Sequence, residues 1–258
     1  MQGKFICHKD FENLKPIDVF HKELSPNQTE KHAESLCNRH TLFRKKVHLC
    51  KGEEAVLKIT ADDYFKLYIN GAYVVLGPPP SYPNHYYFMA IDVTSFLKEG
   101  VNTFAVHTYY QGLINRVWVS GDLRSMLWCE LVIDGNVALV SDESWLTATH
   151  TGYSSCGVIG YETSFAERYD PDAKEVGFEK ESFDDSQWKC ASIYKQADYI
   201  LEKSPIQPLC VYLKKPIHTE KKGKVCLVDF GQEMVGYLTA KANSFKSIRN
   251  QKIRINKP

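Results

Sequence analysis

Two strand-like runs, Tyr64 to Ile69 and Ala72 to Leu76, meet at Asn70-Gly71, and this junction constrains the fold more than any other feature of the sequence. Both central residues of a type I′ turn need positive φ, which Asn and Gly adopt at little cost. Asn-Gly between two such runs therefore predicts a tight β-hairpin. Thr41 to Leu49 alternates apolar and polar residues over its second half, as a half-buried strand does, and Ala55 to Ala61 reads as the next strand. Gly77-Pro78-Pro79-Pro80-Ser81-Tyr82-Pro83 must be a loop, because proline cannot donate to a ladder. Tyr86 to Val93 and Val101 to Tyr110 are strands, separated by one helical turn, Thr94 to Gly100, that ends in glycine. Leu127 to Ile133 and Val137 to Val140 make a second hairpin around Asp134-Gly135-Asn136. Short strands, frequent turn signals and no long helical period predict an all-β chain built as an antiparallel sandwich.

The 258 residues suffice for one large β-domain plus part of another. Residues 1–38 are polar and weakly patterned. They read as an N-terminal extension with a short strand at Asp18 to Leu24 and a turn at Ser25-Pro26-Asn27. The sandwich occupies 39–203. Ser204-Pro205-Ile206-Gln207-Pro208 marks a boundary, and 204–258 reads as the start of a second β-sandwich followed by a basic tail. Its strand-like runs are Leu209 to Leu213, Val225 to Phe230 and Met234 to Lys241.

Hydrophobic residues make up 43% of the chain and charged residues 24%, values that support a buried core. A net charge of +1 argues against a nucleic-acid or membrane-surface binder, which needs a basic excess. None of the eight cysteines forms a CxxC pair, so zinc-ribbon spacing is absent. The N-terminus has no apolar signal core, and no run is long enough to span a membrane. These features predict a cytoplasmic protein with reduced thiols, and leave little meaning in the glycosylation-like triplet Asn27-Gln28-Thr29.

Several motifs carry a family likeness. Asn38-Arg39-His40-Thr41-Leu42-Phe43-Arg44-Lys45 resembles the opening strand of the N-terminal jelly roll of bacterial α-L-rhamnosidases. Thr60 to Gly71 resembles its central hairpin, and Ile91 to Asn102 is similar to the strand–turn–strand of sugar-enzyme jelly rolls generally. Phe183-Asp184-Asp185-Ser186-Gln187-Trp188 and Asp229 to Tyr237 resemble later markers of the same enzymes. The resemblance spans roughly Asn38 to Lys241. It implies a galactose-binding-like jelly-roll sandwich followed by the start of a second sandwich. Enzymes of this family continue into an α/α barrel that holds their catalytic acids, and no position of this chain matches those acids. The resemblance thus implies a non-catalytic N-terminal portion that supports the barrel and contacts rhamnosides. A stand-alone carbohydrate-binding module and a truncated product without activity are the alternatives. The implied partners are a rhamnoside and either the barrel of the same enzyme or another copy of the chain, with no nucleic acid and no membrane.

Glycoside hydrolysis usually needs two carboxylates across the scissile bond. Asp62-Asp63, Asp184-Asp185 and Glu162 are the obvious acids. Neighbours on a strand point to opposite faces, however, so no catalytic pair is expected. Sugar contact is a better use of the loops, because aromatic faces pack on sugar C–H surfaces while planar polar groups meet hydroxyls. The candidates are Asp62, Asp63 and Tyr64 before the hairpin, Tyr82, Asn84 and His85 after the proline loop, and Tyr109, Gln111, Asn115, Arg116 and Trp118. The competing reading places Tyr86 and Tyr109 in the core and the rest on the surface or against a neighbouring domain. The resemblance also brings in calcium, because some rhamnosidase jelly rolls bind sugar through it. Asp122, or Asp62-Asp63, would supply only a few of its six to eight oxygens, so no cofactor is expected. His85, His107 and His150 are isolated in sequence and read as structural. No GxSxG, Walker or Rossmann fingerprint occurs.

Overall fold

The computed structural model describes residues 1–17, 34–79, 81, 85–114, 120–160, 163–197, 199–206, 212–223 and 225–234. The first strands in chain order are β1 (Ile6–Cys7), β2 (Arg39–Leu49), β3 (Ala55–Asp62), β4 (Tyr64–Ile69), β5 (Ala72–Gly77) and β6 (His85–Asp92). Next come β7 (Gly100–Tyr110), β8 (Met126–Ile133), β9 (Asn136–Val140), β10 (Leu146–Thr149), β11 (Tyr153–Ile159) and β12 (Ser164–Tyr169). The last are β13 (Lys189–Cys190), β14 (Ser192–Ile193), β15 (Ile200–Lys203), β16 (His218–Lys222) and β17 (Val225–Asp229). The strands expected between Thr41 and Val140 are all present, shifted at their ends by a residue or two. The expected strand at Asp18 to Leu24 lies outside the described residues, as do most of Leu209 to Leu213 and of Met234 to Lys241.

One sheet has the order β14-β1-β8-β3-β6-β15, with β9 also paired to β8. The other has the order β13-β10-β2-β7-β4-β5. The chain is therefore an all-β sandwich, as its turn spacing predicts. Residues 1–17 supply β1, whose Ile6 pairs with both Ile193 and Leu127. β15 departs from the antiparallel pattern and runs parallel to β6, with Ile200 opposite His85. Most of the sandwich lies between them in sequence, which gives the long connection that a parallel pair requires. The chain divides into two compact units, Met1–Gln207 and Pro208–Pro258. In the second, β16 and β17 form a hairpin with His218 opposite Asp229. β16 escapes sequence reading because HTEKK has no apolar alternation.

The core between the sheets follows the two-residue strand period. Leu57, Ile59 and Ala61 of β3 and Leu127, Cys129 and Leu131 of β8 point inward from one sheet. Phe43 of β2, Phe65, Leu67 and Ile69 of β4, and Phe104 and Val106 of β7 meet them from the other. Each fully buried aliphatic or aromatic side chain contributes about 1.5–3 kcal/mol.

The motif from Ile91 to Asn102 is a backbone clamp. Asp92 Oδ1 accepts from the Thr94 N–H at 2.9 Å and from its hydroxyl at 2.6 Å, and Thr94 Oγ1 accepts from the Ala55 N–H at 2.9 Å. Fully buried Asn102 donates to the carbonyls of Lys98 and Gly100. Asn70, with φ 52, donates to Asn102 Oδ1 at 2.8 Å and accepts from the Thr103 N–H at 2.9 Å. Asn70 thus shapes its own turn and ties it to the next strand.

The outer face of the β2–β7–β4 sheet is covered as well. Leu42 and Ala105 on that face form a second apolar cluster with Phe178, against which Tyr68, Phe183 and Trp188 pack. At its centre Arg44 is fully buried. Its Nε donates to the Phe178 carbonyl at 2.8 Å, one Nη to the Lys180 carbonyl at 2.6 Å, and the other Nη pairs with Asp185. The Phe183 ring lies 5.6 Å from the guanidinium carbon. Phe183, Asp185 and Trp188 of the FDDSQW motif therefore close a lid over β2.

Arg44→Met leaves Asp185 and two carbonyls without their donor. We expect urea unfolding of the full chain to show a loss of about 3–5 kcal/mol, the range for breaking a buried ion pair from one side. A loss below about 1 kcal/mol, the size of a surface pair, would mean that apolar contacts alone hold the lid.

Candidate functional site

The candidate acids gather where β3 passes into β4. Asp62 ends β3 and Asp63 sits in the bend before β4, so strand alternation does not hold between them. The peptide joining them is cis. Asp63 is buried and accepts from the Gln111 N–H at 2.7 Å and from the Ser120 hydroxyl. Asp62 accepts from the Tyr86 hydroxyl at 2.8 Å. The two carboxyls also hydrogen-bond to each other, so the expected opposite orientation of this pair is corrected: they meet in one buried cluster.

Asp122 and Arg124, from the turn before β8, complete this cluster. Arg124 Nε lies 3.3 Å from Asp122 Oδ2, and its guanidinium carbon lies 5.2 Å from the Tyr199 ring centre. Burial pushes Asp62 up to about 6, against the Tyr86 and Asp63 hydrogen bonds and the Arg124 charge. Burial and then the Asp62 charge push Asp63 well above the usual carboxylate range. Burial and the same Asp62 charge also raise Asp122. At Asp62 desolvation thus outweighs the Arg124 charge, and both carboxyls are held above the usual carboxylate range.

The remaining candidates are placed as follows. Tyr64 and Tyr109 pair across β4 and β7, and the Tyr109 hydroxyl donates to Asn38 Oδ1 at 2.8 Å. The buried Gln111 side chain donates to the Thr163 carbonyl at 3.1 Å. His85 begins β6, 2.6 Å from Glu202 Oε2 and 5.7 Å, ring to ring, from Tyr87. Tyr82, Asn84, Asn115, Arg116 and Trp118 lie outside the described residues, as does Glu162. Among the described residues no group of three or more His, Cys, Asp and Glu side chains is arranged to hold a metal ion.

A second constellation went unseen in the sequence. His107 and His150 are not isolated, because their rings lie 5.6 Å apart on the covered face of the sheet. His40 joins them, with Nδ1 2.9 Å from His107 Nε2 and Nε2 2.6 Å from Glu167 Oε1. Tyr153 stacks on His40 at 4.0 Å, its plane inclined by 11°. The available signal was the period of two: His40, Leu42 and Arg44 share one face of β2, and Ala105, His107 and Tyr109 the matching face of β7.

The fold that carries these side chains is a two-sheet, largely antiparallel β-sandwich. The alpha-L-rhamnosidase N-terminal domain family matches residues 51–212, more than half of the chain, and the chain belongs to that family. The fold is similar to a GH78 family rhamnosidase of Bacillus sp. GL1, at TM-score 0.59 and 22% identity, over 78% of this chain and 20% of that one. It is also similar to the alpha-L-rhamnosidase from Dictyoglumus thermophilum, at TM-score 0.59 and 24% identity, over 90% of this chain and 25% of that one. The alpha-L-rhamnosidase of Aspergillus terreus gives TM-score 0.57 and 22% identity, over 90% of this chain and 26% of that one. The chain therefore spans between 20% and 26% of the length of these enzymes, and the likeness is one of fold. No curated protein sequence matches the chain.

The acidic cluster has a pH signature. A carboxyl raised in the folded state contributes stability that is full below the unfolded value, about 3.9, and lost as pH rises through the folded one. Asp63→Asn mimics the protonated acid. Thermal unfolding of both proteins between pH 5 and pH 8 should show the variant gaining on the parent as pH rises. A constant difference would mean that Asp63 is ionised throughout.

Proposed function

We propose that the chain is the non-catalytic N-terminal sandwich portion of an α-L-rhamnosidase-like glycoside hydrolase, supporting the catalytic barrel and contacting rhamnosides from its loops. The observation that carries this reading is the family match over residues 51–212. The state of the acids supports it. Glycosidase carboxyls stand about 5–9.5 Å apart across an open site, with room for sugar and water. Asp62 and Asp63 instead bond to each other and to Tyr86, Gln111 and Ser120. Asp185, the other acid singled out by its pairing, is spent on Arg44. These groups hold the sandwich together and leave sugar contact to the loop residues Tyr82, Asn84, Asn115, Arg116 and Trp118, with His85 beside them in sequence.

Calorimetric titration of the full chain with L-rhamnose tests the sugar-contact part. Binding with a Kd of about 1 mM, some −4 kcal/mol, is expected, with the heat lost in Trp118→Ala. No heat at concentrations well above that Kd would remove sugar contact from the proposed role.

A further inference from the structure

We propose that the β11–β12 hairpin is an acid-released latch, held on the outer face of the β2–β7–β4 sheet at neutral pH by the His40–His107–His150 cluster and let go when His107 and His150 take up protons.

Among the described residues the hairpin pairs only with itself in the ladder, Tyr153 opposite Tyr169 through Ile159 opposite Ser164. A two-stranded hairpin is marginal by itself, so its position depends on side chains beneath it. Such attachments are in place on both strands and at the turn. Glu167 of β12 meets His40 Nε2, Tyr153 of β11 stacks on the His40 ring, and the Thr163 carbonyl at the hairpin turn accepts from Gln111. Beyond Tyr153 the strand β11 is exposed on both faces, from Ser154 to Ile159. Two of these attachments pass through the His40 imidazole, and the Tyr153 ring also meets those of His107 and His150, at 5.5 and 4.9 Å between centres.

The proton inventory of that imidazole is limited. Glu167 accepts from His40 Nε2–H, which leaves Nδ1 to accept from His107 Nε2–H in the neutral cluster. If His40 gains a proton, the bond reverses and His107 must accept. The 2.9 Å contact needs one bare nitrogen in either case. The pair thus accommodates one added proton, countered by Glu167, and excludes a second. His150 sits beside them, with Nδ1 accepting from the Gly152 N–H at 3.2 Å, a bond that protonation abolishes.

The charged groups around the cluster do not rescue a second cation. Lys66, opposite His107 on β4, adds positive charge. Tyr68 of β4, Tyr109 of β7 and Tyr169 of β12 remain neutral phenols, raised by burial. Glu175 lies 3.9 Å from His150 but already accepts from Thr151 N–H and its hydroxyl. Glu179 and Asp170 act on the outer tyrosines. Burial, then the charges of His40, His150 and Lys66, hold His107 well below its usual value. Burial likewise lowers His150, with Glu175 offsetting only part of it. Burial alone would raise Glu167, yet its hydrogen bond to His40 and the His40 charge hold it below the usual carboxylate range while the hairpin is docked.

A histidine whose value is depressed while the hairpin is docked stabilises docking above about pH 6.5, and that stability is lost as pH falls below it. Each depressed imidazole then multiplies the open population by up to about tenfold per pH unit.

Hydrogen exchange of the full chain at pH 7.5, 6.5, 5.5 and 5.0, corrected for intrinsic rates, reads this directly. Peptides covering Tyr153–Tyr169 should lose protection between pH 6.5 and 5.0 by about tenfold or more, while those covering β3 and β8 keep theirs. His107→Gln keeps a donor to His40 without the titration and should flatten the loss. His150→Gln, the milder change, should remove its own share of the pH slope even if the first variant folds poorly. Protection of the hairpin that stays constant with pH, falls in parallel with β3 and β8, or keeps its full slope in both variants would overturn the latch.

Discussion

A guanidinium with no exposure to solvent must satisfy its donors inside the protein, and Arg44 satisfies them within one short stretch, Phe178 to Asp185. Losing one partner of such a buried charge costs far more than an ordinary contact. The long excursion between β10 and β13 is thereby fixed over β2, and the sheet gains an apolar cluster on the side that would otherwise face water. Everything above that face depends on this placement: the Phe178 ring that abuts His107 and His150, the Glu175 that steadies Thr151, and the hairpin over His40.

Covering both faces of a sheet has a second consequence. Outward positions on β2 and β7 no longer need to be uniformly polar, and they carry His40, Leu42, Arg44, Ala105, His107 and Tyr109 instead. Desolvation there acts on imidazoles as it acts on the carboxyls at the β3–β4 bend, but with opposite sign. Burial favours neutral histidine and protonated aspartate alike. Acid loosens the first cluster and ionisation at higher pH burdens the second, so the sandwich is pressed from both ends of the pH scale by two separate groups of side chains.

The hairpins were legible because their turn chemistry is local. Asn70-Gly71 and Asp134-Gly135 both adopt the positive φ their sequence demands. The inner core was legible because Leu57, Ile59 and Ala61 obey a period of two. What escaped was set by distant partners. β1 and β14 are two-residue strands whose ladders join residues far apart in sequence, Ile6 to Ile193. The pairing of Asp62 with Asp63 depended on a bend that alternation could not anticipate. The His40–His107–His150 cluster required knowing that β2 and β7 are neighbours in register, Leu42 opposite His107. FDDSQW resembles a family marker in sequence, but its place in the lid on Arg44 depends on a partner strand more than a hundred residues away.

The proposed role is that of a sandwich that serves a glycoside hydrolase without performing its chemistry. The most direct measurement is hydrolysis of an aryl α-L-rhamnoside by the purified chain, followed over hours at several pH values between 5 and 8. Release of the aryl group no faster than in buffer is the predicted result. Turnover above that background, abolished by Asp62→Asn or Asp63→Asn in a variant that remains folded, would contradict the proposed non-catalytic role and make the buried pair an active site.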